Sequence, residues 1–92
     1  MSAGATWQVE FDRAAARELR KLGKEAQQLI LRYLRTRIAT AHDPRRFGKP
    51  LLGDLKGLWR YRVGGYRIVA RIEDDRLVVL VVKVGHRRDV YD

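Results

Sequence analysis

Six cations gather in the last third of this chain: Arg60, Arg62, Arg67, His86, Arg87 and Arg88, with Tyr91 just beyond. A guanidinium stays charged at any physiological pH and grips phosphate oxygens through parallel hydrogen bonds. Several acting together can neutralise the charge of a pentacoordinate phosphorane. A tyrosine beside them can stack on a base or orient a hydroxyl. A lone arginine on a strand is ordinarily a solvated surface residue. Several on one face, with no acidic residue between Arg60 and Arg71, point instead to function. Other chemistries lack their parts. The chain has no cysteine, and its two histidines, His42 and His86, sit in separate segments without ligand spacing, so no metal and no cofactor is expected. Its only serine is Ser2, and Gly64-Gly65 lacks the phosphate-loop pattern. His86 is the one nearby group whose ordinary pKa suits a general base. Alternation sets it on the opposite face from Arg87 and leaves its role open.

These residues must be positioned by a sheet. Trp59, Tyr61 and Val63 alternate with Arg60 and Arg62, the period of two of a strand with one buried face. Gly64-Gly65 supplies a hairpin turn. Tyr66, Ile68, Ala70 and Ile72 then alternate with Arg67, Val69 and Arg71, Asp74-Asp75 marks a second turn, and Leu77 to Val82 is continuously apolar, as a doubly covered strand should be. Upstream, Trp7, Val9 and Phe11 define a first strand. Asp12 is the expected N-cap of a helix from Arg13 to about Leu22, and Gly23 is expected to break it. A second helix from about Lys24 to Ala39 carries an apolar stripe of Ala26, Leu29, Ile30, Tyr33, Leu34 and Ile38. So short a link makes the two an antiparallel hairpin on the sheet.

The expected fold is therefore α+β in two layers: an N-terminal strand, a helical hairpin, then a three-stranded antiparallel meander, all one domain spanning residues 1–92. Trp59, Tyr61, Ile68, Ala70 and Val79 or Leu80 should be buried. Arg60, Arg62 and Arg67 should reach solvent or a partner. The loop from His42 to Gly57 holds Leu51, Leu52 and Leu55, which must find a core. Its Arg45, Arg46, Lys49 and Lys56 are either functional or merely solvated.

The chain carries 20 Lys+Arg against 11 Asp+Glu, a formal charge of +9, which favours a polyanionic partner such as nucleic acid or a ribonucleoprotein. No apolar run approaches the roughly 18 residues of a membrane span. The start, MSAGATW, lacks the features of a signal peptide. A soluble, cytoplasmic domain is expected.

The pattern GKPL–GDLKGLWRYRVGGYRIVARI followed by VGHRRDVY resembles the RelE branch of the RelE/ParE toxin superfamily of bacterial toxin–antitoxin systems. The likeness runs from the Trp7 strand to Tyr91, and the order of elements fits that family's β-α-α-β-β-β plan. It implies a ribosome-dependent endoribonuclease that cuts mRNA in the ribosomal A site, with a cognate antitoxin as partner. By that resemblance Arg60 and Arg62 are the two basic residues of the strand after the loop, standing where well-studied members have lysines. Arg67 is implied to contact the scissile phosphate, Arg87 to stabilise the departing 5′-oxygen, and Tyr91 to stack on a base. Arg45, Arg46, Lys49, Lys56 and Arg88 are the further expected RNA contacts. The rival expectation is a ParE-like toxin that blocks DNA gyrase without chemistry of its own; relatives of that type generally lack the arginine set and the tyrosine. A third is an RNA- or protein-binding module without catalysis.

Overall fold

The computed structural model describes residues 5–88. The chain forms β1 (Gln8–Phe11), α1 (Arg13–Lys21), α2 (Lys24–Tyr33), β2 (Lys49–Pro50), β3 (Leu58–Val63), β4 (Tyr66–Glu73) and β5 (Val78–His86). The strands make one sheet in the order β1-β5-β4-β3-β2. β1 joins β5 in parallel, while the β2–β3, β3–β4 and β4–β5 pairs are antiparallel. The expected α+β architecture is the observed one, with β2 added from within the loop.

Local signals account for most element ends. The Asp12 carboxylate accepts the Ala15 N–H at 2.8 Å, capping α1. Gly23 does not end α1 by an unusual backbone: its φ is −65°, and it is the N-cap of α2. The last turn of α1 is closed from the next helix, where the Gln27 side chain donates to the Leu22 carbonyl at 2.7 Å. The second helix departs from expectation. It is α-helical only to Tyr33 and continues as a π-helical turn over Leu34–Ile38, with the Ala39 N–H reaching back five residues to the Leu34 carbonyl at 2.8 Å. Leu34 and Ile38 are buried as expected, but Leu29 is 43% exposed, so it is not part of the stripe.

The main core lies between the helices and one sheet face, built on Ile30, Leu34, Ile38, Tyr61, Ile68, Ala70, Val79 and Val81. Trp59 is only half-buried at its margin. The opposite face is not bare. Leu51 and Leu55 of the loop pack over Leu58, Val69 and Val82 in a second, smaller cluster. Leu52 finds no core and stays 80% exposed. The turn before β5 is longer than the expected Asp74-Asp75 pair: Leu77 belongs to it, with φ of 53°, so the strand starts at Val78 rather than Leu77.

One close approach in the loop is testable. A Cβ placed on Gly48 would meet the Tyr61 ring at 3.0 Å and the Arg60 carbonyl at 3.3 Å. The Tyr61 ring cannot yield, because it is fully buried and its hydroxyl donates to the Pro44 carbonyl at 2.9 Å. Gly48→Ala should therefore destabilise the fold by about 1–3 kcal/mol, read from the midpoint of urea unfolding.

Candidate functional site

Pairing register decides which cations meet. Arg62 of β3 lies directly opposite Arg67 of β4, and Arg67 lies opposite Gly85 of β5. Residues so opposed share a sheet face. That face is the one away from the helices, since Arg67 alternates with Ile68 and Ala70 of the main core. Arg87 is held nearby, because its backbone N–H donates to the Gly65 carbonyl at 2.9 Å, tying the chain after β5 to the β3–β4 turn. Arg62, Arg67 and Arg87 thus converge at one end of the sheet.

Exposure differs from expectation. Arg62 and Arg87 are exposed, but Arg60 and Arg67 are buried, with 8% and 7% of their surface accessible. The expectation that Arg60 and Arg67 stand open to solvent is corrected. The strand alternation placed them on the right face without revealing how closely that face is covered. The Arg67 guanidinium donates to the Tyr66 carbonyl at 3.2 Å, which fixes the side chain close to its own strand.

His86 is on the other side. It pairs across the sheet with Tyr66, their rings meet edge-to-face at 5.8 Å, and both stand toward the helices. The cause is a bulge. Val69 pairs with Lys83 but Ala70 with Val81, so Val82 is an extra residue in β5 and the alternation reverses beyond it. Val79 and Val81 face the core before the bulge; Val84 and His86 share that side after it. Glu18 of α1 completes this corner, accepting the Val84 N–H at 2.8 Å and the Lys83 ammonium at 3.3 Å. His86 Nδ1 accepts the Arg88 backbone N–H at 3.3 Å.

The loop cations divide. Arg45 is committed to structure: it bonds both oxygens of Asp74 at 3.1 and 2.5 Å, reaches Asp43 at 3.3 Å and lies over the Trp59 ring at 5.8 Å. This clamp ties the loop to the β4–β5 turn and gives Arg45 a structural role. Arg46, Lys49, Lys56 and Arg88 are exposed, with Lys49 opposite Arg60 in the ladder and Arg46 over the Phe47 ring at 4.6 Å. Tyr91 lies outside the described residues. Among the described residues no group of three or more His, Asp or Glu could hold a metal ion, and no helix is long and apolar enough to cross a membrane.

The clamp has a pH consequence. The Asp74 carboxyl is held below its ordinary value, first by the hydrogen bond from Arg45, with desolvation opposing and the Arg45 charge assisting. Its folded pKa is thus lower than its unfolded one. The stabilisation is present above the unfolded value of about 3.9 and is lost as pH falls through the folded value. The difference in thermal midpoint between the parent and Asp74→Asn should accordingly be constant near neutrality and shrink below about pH 4.

Two cations that the sequence did not single out, Arg32 and Arg37, stand with Arg62 along a groove of about 350 Å³ between the second helix and the end of β3. Leu29, Tyr33 and Thr36 line it with them, the three-and-four spacing of one helix face.

Comparison with known proteins agrees with this architecture. Residues 9–91 match the family described as the ParE toxin of the type II toxin–antitoxin system, parDE. Toxin RelG of Mycobacterium tuberculosis (strain ATCC 25618 / H37Rv) is 34% identical over 83 residues, covering 90% of this chain and 93% of RelG. The mRNA interferase toxin RelE of Escherichia coli (strain K12) is 32% identical over 81 residues, covering 86% of this chain and 81% of that toxin. Among solved structures, the toxin–antitoxin complex RelBE2 from Mycobacterium tuberculosis contains a chain that superimposes with a TM-score of 0.78 at 32% identity, covering 92% of this chain and 95% of that one. The isolated Escherichia coli RelE toxin superimposes with a TM-score of 0.68 at 26% identity, over 87% and 83% of the two chains.

Proposed function

The chain belongs to the RelE/ParE toxin superfamily and is a toxin of a type II toxin–antitoxin system, and from that premise we propose that it is a ribosome-dependent endoribonuclease acting on mRNA in the A site. The observation that carries the reading is the convergence of Arg62, Arg67 and Arg87 on one end of the sheet face that bears no helices. Three guanidiniums there suit an RNA phosphate gaining charge.

In the proposed step the ribose 2′-oxygen forms a bond to the adjacent phosphorus and the bond from phosphorus to the 5′-oxygen breaks. The 2′-hydroxyl proton leaves to a base and the 5′-oxygen takes up a proton, giving a 2′,3′-cyclic phosphate and a 5′-hydroxyl. Arg62 and Arg67 hold the non-bridging oxygens, Arg87 stands at the departing 5′-oxygen, and Tyr91 stacks on a base. Arg60, opposite Lys49 in the ladder, adds to the positive field around them. Arginine cannot serve as the base, because its proton is never released in a protein. His86 is turned toward Tyr66 and the helices, so the proton passes to water or ribosomal RNA instead. His86→Ala should therefore keep a cleavage rate within a few-fold of the parent, in contrast to the roughly 10²–10⁴-fold loss typical of removing a general base.

A second reading is favoured by the family match itself, whose description is that of ParE, and by the burial of Arg60 and Arg67: a gyrase-blocking toxin without nuclease chemistry. Induced expression separates the two. The nuclease reading requires methionine incorporation to fall before thymidine incorporation; the opposite order supports gyrase. Under either reading the partner is a cognate antitoxin, for which an acidic, amphipathic helical segment suits a chain of charge +9, and the site of action is the cytoplasm. Co-expressing that antitoxin should restore growth.

A further inference from the structure

Adjoining the proposed cleavage site through Arg62, the groove between the second helix and β3 is lined by Arg32, Tyr33, Thr36, Arg37, Arg62 and Gly64 among others, none of them acidic. No ion pair among the described residues involves Arg32, Arg37 or Arg62. Three guanidiniums around one groove repel one another unless an anion lies between them. Two features show the arrangement to be built by the fold. Leu29, Arg32, Tyr33, Thr36 and Arg37 recur at spacings of three and four, so one helix face presents both cations to the groove. Phe47 then holds Arg37 from the loop side, its ring 5.6 Å below that guanidinium and 4.6 Å from Arg46. The groove lies at the sheet edge, where among the described residues β2 pairs only with Trp59 and Arg60 and no strand pairs with β3 beyond them on that side.

We propose that this groove binds the phosphate backbone of the RNA strand being cut, carrying nucleotides that flank the scissile phosphate away from Arg67, over Arg62, to Arg37 and Arg32. The proposal rests on the nuclease reading for its direction. Arg62 is the hinge of the argument, since it is opposite Arg67 in the ladder and also lines the groove. A phosphodiester strand presents successive anions to such a row, and the partly exposed Tyr33 offers a surface on which an unpaired base can stack.

The test is titration of the whole protein with a fluorescent single-stranded RNA of twelve nucleotides, 2′-O-methylated so that it cannot be cut, at several salt concentrations. Arg32→Gln with Arg37→Gln should flatten the dependence of log affinity on log salt by about 1.4, two contacts at about 0.7 each. Arg17→Gln with Arg20→Gln, the same charge change on the exposed side of α1, should leave that slope within about 0.3 of the parent, because no phosphate contact is lost. Equal losses in the two double variants would show a net-charge effect only and overturn the proposal. So would an unchanged slope with RNA accompanied by weaker binding of poly-glutamate, which would assign the groove to an acidic protein segment. Because this titration requires no cleavage, its failure is distinguishable from failure of the nuclease reading, which is a parent protein that binds RNA but does not cut it on ribosomes.

Discussion

Replacing Arg67 with alanine should slow single-turnover cleavage of mRNA on programmed ribosomes by roughly 10²–10³-fold, the scale of losing one preorganised charge donor from a transition state. The burial of Arg67 makes the experiment more demanding. With 7% of its surface accessible, its loss also removes packing, so the rate must be referred to the folded fraction measured under the same conditions. The two roles then separate. A purely structural Arg67 predicts a lowered unfolding midpoint and a parental rate per folded molecule. A phosphate ligand predicts a slow rate in molecules that are demonstrably folded. Arg67→Lys should fall between parent and alanine, since an ammonium keeps the charge but cannot form the paired hydrogen bonds of a guanidinium. Ribosome binding should change far less than the rate, because the chain retains its many other cations.

Arg87→Ala should produce a loss of the same order, roughly 10²–10³-fold in the single-turnover rate, for a different reason. Arg87 is exposed, and the contact that positions it is made by its backbone N–H to the Gly65 carbonyl, which survives the substitution. The fold should therefore be unaffected to within about 0.5 kcal/mol, as is usual for an exposed site. If Arg87 stands at the departing 5′-oxygen, its loss should be partly relieved by a substrate whose 5′-oxygen is replaced by sulfur, a leaving group that needs less stabilisation. Arg67→Ala should show no such relief. The pair of rate constants on the two substrates thus assigns each arginine to its own part of the phosphorane.

The sheet was legible in the sequence because its strands alternate cleanly. Tyr61, Ile68, Ala70 and Val79 are buried as their spacing predicts, and the Gly64-Gly65 turn fixes the register that sets Arg62 against Arg67. What alternation cannot report is cover. The leucines at 51 and 55 are polar-loop residues by context, yet they roof the reverse face around Val69 and Val82, on the same side as the buried Arg60 and Arg67. The bulge at Val69/Ala70 is equally silent in an apolar run such as Leu77 to Val82, where every register is hydrophobic. It alone decides that His86 faces Tyr66. The π-helical turn is hidden for a related reason: Leu34 and Ile38 satisfy an α-helical stripe, and a five-back bond such as that from Ala39 to Leu34 leaves both buried. Arg45 looked like one loop cation among four. Its partner Asp74 is 29 residues away, a separation at which no local pattern exists.

The most direct measurement of the central claim is the chemistry of RNA ends when the purified parent protein is added to ribosomes programmed with a defined mRNA, beside a gyrase supercoiling assay with the same preparation. The account predicts mRNA cut within the A-site codon, an upstream fragment ending in a 2′,3′-cyclic phosphate, a downstream fragment beginning with a 5′-hydroxyl, and supercoiling unimpaired. Intact mRNA on fully occupied ribosomes, with supercoiling blocked, would contradict it.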